Sequence, residues 1–207
     1  MSAVAETLRV AILAFDDVEA LDLAGPYEVF TTAARMHQRT AAGAPAPFEV
    51  ACVARSLQPV RMRAGLQVLP DHAFADAPPI DLLIVPGGVV DAALACRQTL
   101  EWIARASRSA RLTASVCTGA FLLAASGVLK NQCVTTHWED IDDLRSRFPS
   151  LDVQQGVRWV DEGDLVTSAG ITAGIDMSLH LVARLAGEAL ALRTARQMDF
   201  AWTRVTD

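Results

Sequence analysis

Cysteine is scarce in this chain, with four residues in 207, at Cys52, Cys96, Cys117 and Cys133, and no C-x-x-C pair among them. That spacing signals neither a zinc site nor a disulfide framework. Reduced thiols are expected, three of them small core or surface residues. Basic character is scarce too: 18 Lys and Arg stand against 24 Asp and Glu, a net charge of −6, and no stretch is rich in Lys or Arg. The electrostatic footprint of a nucleic-acid or anionic-membrane binder is therefore missing, which favours small neutral substrates. No apolar run reaches the length of a membrane span, and Met1–Glu6 has no basic segment followed by an apolar one. A cytoplasmic protein is expected. Internal repeats and linkers are lacking as well.

What is present is a core. Apolar residues make up 52% of the chain and charged residues 20%, the balance of a compact α/β protein, and the length suits one domain over residues 1–207. Leu8–Phe15 is a mostly apolar, β-branched run with the pattern of a strand covered on both faces, and Asp81–Val85 and Leu112–Val116 repeat it. Phe48–Arg55 reads as another strand, Arg61–Pro70 around Gly65 as a hairpin or irregular edge, and Cys133–Thr136 as a short strand. Val157–Val160 and Leu165–Thr167 read as a hairpin closed by an acidic turn. Helices are expected at Tyr27–Met36, started by a Gly25-Pro26 turn, and at Glu101–Ser107, Ala120–Ser126, Glu139–Phe148, Ile175–Leu185 and Glu188–Trp202. Strands alternating with helices predict an α/β fold with a mainly parallel sheet and helices on both faces, binding ligands at the carboxyl ends of its strands.

Two of those strand ends carry chemistry. Ser115-Val116-Cys117-Thr118-Gly119 has the pattern of a nucleophile elbow, in which a tight strand-to-helix turn admits only small neighbours and pushes the reactive atom into the open. A helix N-terminus also favours the thiolate, so a lowered Cys117 pKa is expected. The competing reading is a buried structural cysteine. Pro86-Gly87-Gly88 ends another strand, where backbone N–H groups of Gly87 or Gly88 would join that of Thr118 as an oxyanion hole, or form a plain turn.

The motifs taken together resemble a known family. Phe15-Asp16-Asp17-Val18-Glu19-Ala20-Leu21-Asp22-Leu23-Ala24-Gly25-Pro26, Ile84-Val85-Pro86-Gly87-Gly88, Ser115-Val116-Cys117-Thr118-Gly119, Thr135-Thr136-His137-Trp138 and Gly170-Ile171-Thr172-Ala173-Gly174-Ile175-Asp176 are similar to the ThiJ/PfpI superfamily through nearly the whole chain. The resemblance implies its flavodoxin-like, class I glutamine amidotransferase-like fold. It points to a branch that includes enzymes hydrating isonitriles and the amidotransferase-like domains of AraC-type regulators. It implies Cys117 as nucleophile, Asp22 as general acid/base, Thr118 at the reacting centre, a small-molecule isonitrile as substrate, no metal or organic cofactor, and a homodimer.

The remaining candidates are weighed singly. Asp22 follows the first strand and can reach a site above the neighbouring strand ends, where an apolar setting would favour its protonated form. The alternative is a solvated loop aspartate within the Asp16, Asp17, Glu19, Asp22 cluster. Peptidase members carry a histidine directly after the cysteine; Thr118 stands there instead, which disfavours amide hydrolysis by a Cys–His pair. His137 is read as approaching the site or as a packing histidine. Thr172 and Asp176 are read first as caps of the following helix and second as pocket lining. Trp138 and Trp202 are read as packing aromatics, and His72 and His180 as surface and helix residues. Against hydration stand a ligand-sensing domain related to AraC-type regulators and a cysteine-dependent stress or glyoxalase-like protein.

Overall fold

In the computed structural model, which describes residues 6–204, the chain opens with β1 (Leu8–Leu13), α1 (Ala20–Thr40) and β2 (Phe48–Ala54). Of the segment Met1–Glu6 read above, residues 1–5 lie outside that range. Three short strands follow: β3 (Val60–Arg61), β4 (Gln67–Val68) and β5 (His72–Ala73). Then come β6 (Leu82–Val85), α2 (Asp91–Ala95), α3 (Arg97–Ser109), β7 (Leu112–Val116) and α4 (Gly119–Ala125). The C-terminal part holds β8 (Cys133–Val134), a 3-10 turn at Trp138–Asp140, α5 (Ile141–Arg147), β9 (Asp152–Val153), β10 (Trp159–Asp161), β11 (Leu165–Ser168), α6 (Ala173–Ala186) and α7 (Glu188–Gln197).

Seven strands form one sheet in the order β10-β11-β7-β6-β1-β2-β5, parallel throughout except for the antiparallel β10–β11 pair. Every residue of β6 and β7 is buried, as strands covered on both faces must be. Six of the seven helices fall into two groups that cover it: α1, α6 and α7 pack together, and α2, α3 and α4 pack together, while α5 packs on β9. In α3 the buried Thr99, Trp102, Ile103 and Ala106 recur at helical spacing, so one stripe meets the sheet and the rest meets water. The strand order reverses direction at β1, which has β2 on one side and β6 on the other. The crevice beyond the carboxyl ends of β1, β6 and β7 is the place where such sheets bind ligands. No helix among the described residues is long and apolar enough to cross a membrane.

Several element ends differ from the sequence reading: α3 begins at Arg97 rather than Glu101, α5 spans only Ile141–Arg147, and β8 stops at Val134. The first helix begins at Ala20, with Gly25 and Pro26 inside it rather than before it. Gly25 is there for contact: a Cβ would stand 3.0 Å from Ile175 Cγ1 on α6, so its absence lets the two helices approach. The last helix stops at Gln197, short of Trp202, because Asp199 turns left-handed (φ 51°) and Phe200 N–H closes back onto the Ala195 carbonyl at 3.0 Å. The hairpins at β3–β4 and β10–β11 form as expected, with Gly65 and Gly163 at positive φ in their turns. The short α2 carries no signal in the sequence that separates it from α3.

Candidate active site

Cys117 sits one residue beyond β7 with φ at 57°, a left-handed conformation that costs a non-glycine residue energy and is held by its surroundings. Its N–H donates to the Ser168 and Ala169 carbonyls at 3.1 and 3.3 Å, and its carbonyl accepts from Thr136 Oγ1 at 2.8 Å. The small neighbours that an elbow requires have a steric cause here. A Cβ on Gly119 would lie 2.1 Å from the Val85 carbonyl oxygen, and one on Gly87 would meet Thr118 N at 2.6 Å and Cys117 Cβ at 2.9 Å. The ends of β6 and β7 thus touch through bare backbone.

Asp22 reaches this point from the first turn of α1 and is fully buried, not solvated. Its Oδ2 accepts from Gly87 N–H at 3.2 Å, while Oδ1 makes no hydrogen bond among the described residues. Burial pushes the Asp22 pKa up to about 6, helped by the charge of Glu19; the nearby Cys117 thiol and the backbone N–H groups of Gly87 and Ile171 pull it partly back. The pKa of Cys117 is pushed up to about 12, first by burial and then by the charge of Asp22, against the pull of the Thr118 N–H. The expected lowered pKa is therefore wrong. A dipole at the end of the seven-residue α4 is weaker than loss of solvent plus an adjacent carboxylate. At neutral pH the pair is a thiol beside a mostly ionised acid.

Thr118 Oγ1 lies 2.9 Å from both the N–H and the carbonyl oxygen of Gly88, accepting from the first and able to donate to the second. Gly88, at φ 139°, is held by a bridge to Val18 and stands too close to the Asp17 carbonyl for any side chain. In this arrangement the N–H groups of Gly87 and Gly88 are engaged by Asp22 and Thr118, and the Thr118 N–H is the donor beside the thiol.

Among the described residues, His137 makes no hydrogen bond to Cys117 or Asp22. Its ring packs on Gly170, and Nδ1 stands 3.4 Å from an Asp140 oxygen and 3.8 Å from one of Glu139. Thr172 precedes α6 but makes no cap bond; its hydroxyl accepts from Arg158 at 3.4 Å. Asp176 is no cap either. It is fully buried, paired with Arg158, and accepts from the Thr203 N–H at 2.7 Å, tying the C-terminal tail to α6. Trp138, expected to pack, is 72% exposed, because the 3-10 turn points it outward; Trp202 is half-buried, with its indole N–H on the Asp176 carbonyl at 3.2 Å. His180 lies on α6, bonded to Asp161 at 2.6 Å, and His72 is half-buried on the edge strand β5. Two contributors escaped the sequence reading. The Thr136 hydroxyl had a signal in the Thr-Thr-His-Trp motif, whereas the backbone of Ile171, left-handed at φ 50° and close to Asp22, had none of its own.

A parallel sheet with a left-handed cysteine after one strand and a buried carboxyl from the helix after another defines a class. The chain belongs to the DJ-1/PfpI family, whose model matches residues 8–184. Among curated relatives it is 36% identical over 195 residues to isonitrile hydratase of Pseudomonas putida, covering 94% of this chain and 79% of that one. It is 34% identical over 127 residues to the HTH-type transcriptional regulator GbdR of Pseudomonas aeruginosa, covering 61% of this chain but 34% of the regulator. Of solved structures, a ThiJ/PfpI family protein from Pseudomonas syringae superposes with a TM-score of 0.82 at 30% identity, covering 94% of this chain and 76% of that one. DJ-1beta of Drosophila melanogaster gives 0.78 at 18% identity, covering 95% of this chain and 100% of that one, a likeness of fold alone.

Proposed function

We propose that this protein hydrates an isonitrile to the N-substituted formamide, with Cys117 as nucleophile and Asp22 as proton carrier. The observation that carries the reading is the fully buried Asp22 carboxyl, with its pKa near 6, set beside the thiol of the left-handed Cys117. A carboxyl poised near neutrality can both take and return a proton within one turnover. The similarity to the Pseudomonas putida hydratase supports the choice of substrate.

The ionised Asp22 takes the thiol proton as sulfur bonds to the terminal isonitrile carbon, then delivers it to that carbon, leaving a thioimidate, R–N=CH–S–Cys117. Water adds to the same carbon, with Asp22 relaying its proton to nitrogen. Collapse of the tetrahedral adduct forms the formamide carbonyl and breaks the C–S bond, and the hydroxyl proton returns through Asp22 to sulfur. Protons and electrons balance without any outside reagent. The Thr118 N–H steadies charge on sulfur, and the Gly88 N–H becomes available when the Thr118 hydroxyl turns away. Gly87 orients Asp22 through its 3.2 Å hydrogen bond. His137 packs on Gly170 and Thr172 follows Ile171, whose backbone approaches Asp22, so we assign both to the wall of the substrate path and not to proton transfer. Homodimer assembly and a cytoplasmic setting belong to the same reading, and sedimentation tests the first.

Incubation with a simple alkyl isonitrile, followed by mass detection of the formamide, tests the activity; no formamide above the protein-free control overturns it. A second reading, a ligand-sensing domain, is favoured by the similarity to GbdR and by a thiol held protonated at rest. Saturable isonitrile binding without product would support that alternative.

A further inference from the structure

We infer that Thr136 is a positioning residue for Cys117, its hydroxyl fixing the left-handed elbow that aims the thiol. The inference rests on Cys117 being the reacting thiol, as proposed above, but not on the substrate being an isonitrile.

Cys117 is held at φ 57°, a conformation it adopts only if its peptide groups are pinned on both sides. The N–H side is pinned by strand β11, through the Ser168 and Ala169 carbonyls. On the carbonyl side, the backbone offers one long bond, from Ala120 N–H at 3.4 Å, because the short α4 begins just beyond the elbow. The Thr136 hydroxyl closes the gap at 2.8 Å, in a contact buried from water, with Thr136 itself 1% exposed. That carbonyl belongs to the Cys117–Thr118 peptide, whose N–H end lies beside the thiol sulfur and is among the groups lowering its pKa. Fixing one end of a planar peptide fixes the other. The hydroxyl therefore acts on the sulfur through a rigid unit, without touching it. The adjacent Thr135 is held differently. Its hydroxyl bonds to the Gln154 carbonyl at 3.0 Å and its N–H to Thr167 Oγ1 at 2.8 Å, so it braces β8 against its neighbours and makes no bond to the elbow.

The test is the rate at which iodoacetamide alkylates Cys117 between pH 7 and 10, mapped by peptide mass, in the wild type, Thr136→Val, Thr136→Ser and Thr135→Val. Cys96, half-exposed at the start of α3, reports in the same molecules whether a variant is folded. Thr136→Val is expected to slow Cys117 by roughly 3- to 10-fold and displace its pH profile upward, the size of one neutral hydrogen bond expressed as a rate, with Cys96 unchanged. Thr136→Ser is expected to restore the wild-type rate, and Thr135→Val to leave it alone. Where hydration is also measured, kcat falls in Thr136→Val while KM holds; a wild type with no hydration sinks the proposed substrate but leaves the alkylation result standing. The inference is overturned if Thr136→Val alkylates like wild type, if Thr136→Ser is as slow as Val, or if Thr135→Val slows Cys117 equally. It is overturned too if Thr136→Val unfolds while Thr135→Val folds, since the contact is then one that folding needs and not one that aims the thiol.

Discussion

Asp22 and Cys117 act on each other in opposite directions: the Asp22 charge adds to burial in pushing the thiol up to about 12, while the thiol pulls back a carboxyl that burial raises to about 6. The carboxylate therefore disfavours the thiolate while the thiol favours the carboxylate, and across the neutral range the pair carries one charge, on the carboxyl. On the proposed mechanism, a thiol that cannot ionise alone becomes nucleophilic when Asp22 takes its proton in the act of attack.

The pH profile of hydration follows from that order. Asp22 has to be ionised to accept the thiol proton, so kcat/KM is expected to rise with pH through about 6 and then stay level to above pH 9, since the thiol stays protonated there. A profile that instead climbs through pH 8 to 9 would indicate attack by a free thiolate formed without Asp22.

Asp22→Asn is expected to lose activity and gain stability. The amide keeps the shape and can accept from Gly87 N–H but cannot carry a proton, so hydration should fall by ~100- to 10,000-fold. For stability, a carboxyl whose folded pKa lies above its ordinary value favours folding below pH 4 and loses that contribution as pH rises through about 6. Ionised Asp22 thus costs on the order of 3 kcal/mol at neutral pH, and Asp22→Asn should melt higher than wild type at pH 8 but not at pH 4. Asp17→Asn is the control, because asparagine tolerates the left-handed conformation found there. Asp16→Asn is a poorer one: its Oδ1 accepts from Arg61 N–H at 2.9 Å and ties the β3–β4 hairpin to the strand end.

Cys96, not Cys117, is expected to be the thiol most readily alkylated at neutral pH. The hydroxyl and N–H of Thr99 lower its pKa, with help from the Arg55 guanidinium 3.9 Å away, whereas burial raises those of Cys52, Cys117 and Cys133. Peptide mapping after brief iodoacetamide treatment should find Cys96 first, and Cys96→Ser should hydrate at the wild-type rate. Loss of activity in that variant would contradict the assignment of catalysis to Cys117.

The fold was legible because its central strands are apolar along their whole length, as in Leu82–Val85, and because glycines mark the turns around them. The elbow was legible for a related reason: Gly119 is bare where the Val85 carbonyl leaves no room for a Cβ. What sequence did not reveal depends on distance across the fold. Pro26 and Gly25 look like a helix start, yet the helix begins at Ala20, because Gly25 serves a contact with Ile175 far along the chain. The direction of the Cys117 pKa shift was misjudged for the same reason, since the helix end is local to Cys117 while the burial and the Asp22 charge that outweigh it come from elsewhere. Trp138 shows the converse, a large apolar residue that a local turn exposes.

The most direct test of the central claim is the mass of the protein itself during turnover. Rapid acid quenching with an alkyl isonitrile should yield a species heavier by the full mass of the isonitrile, because addition of the thiol loses no atom, and fragmentation should place that mass on Cys117. Formamide produced at the wild-type rate by Cys117→Ala, or turnover with no such adduct on any quench timescale, would contradict covalent catalysis by Cys117.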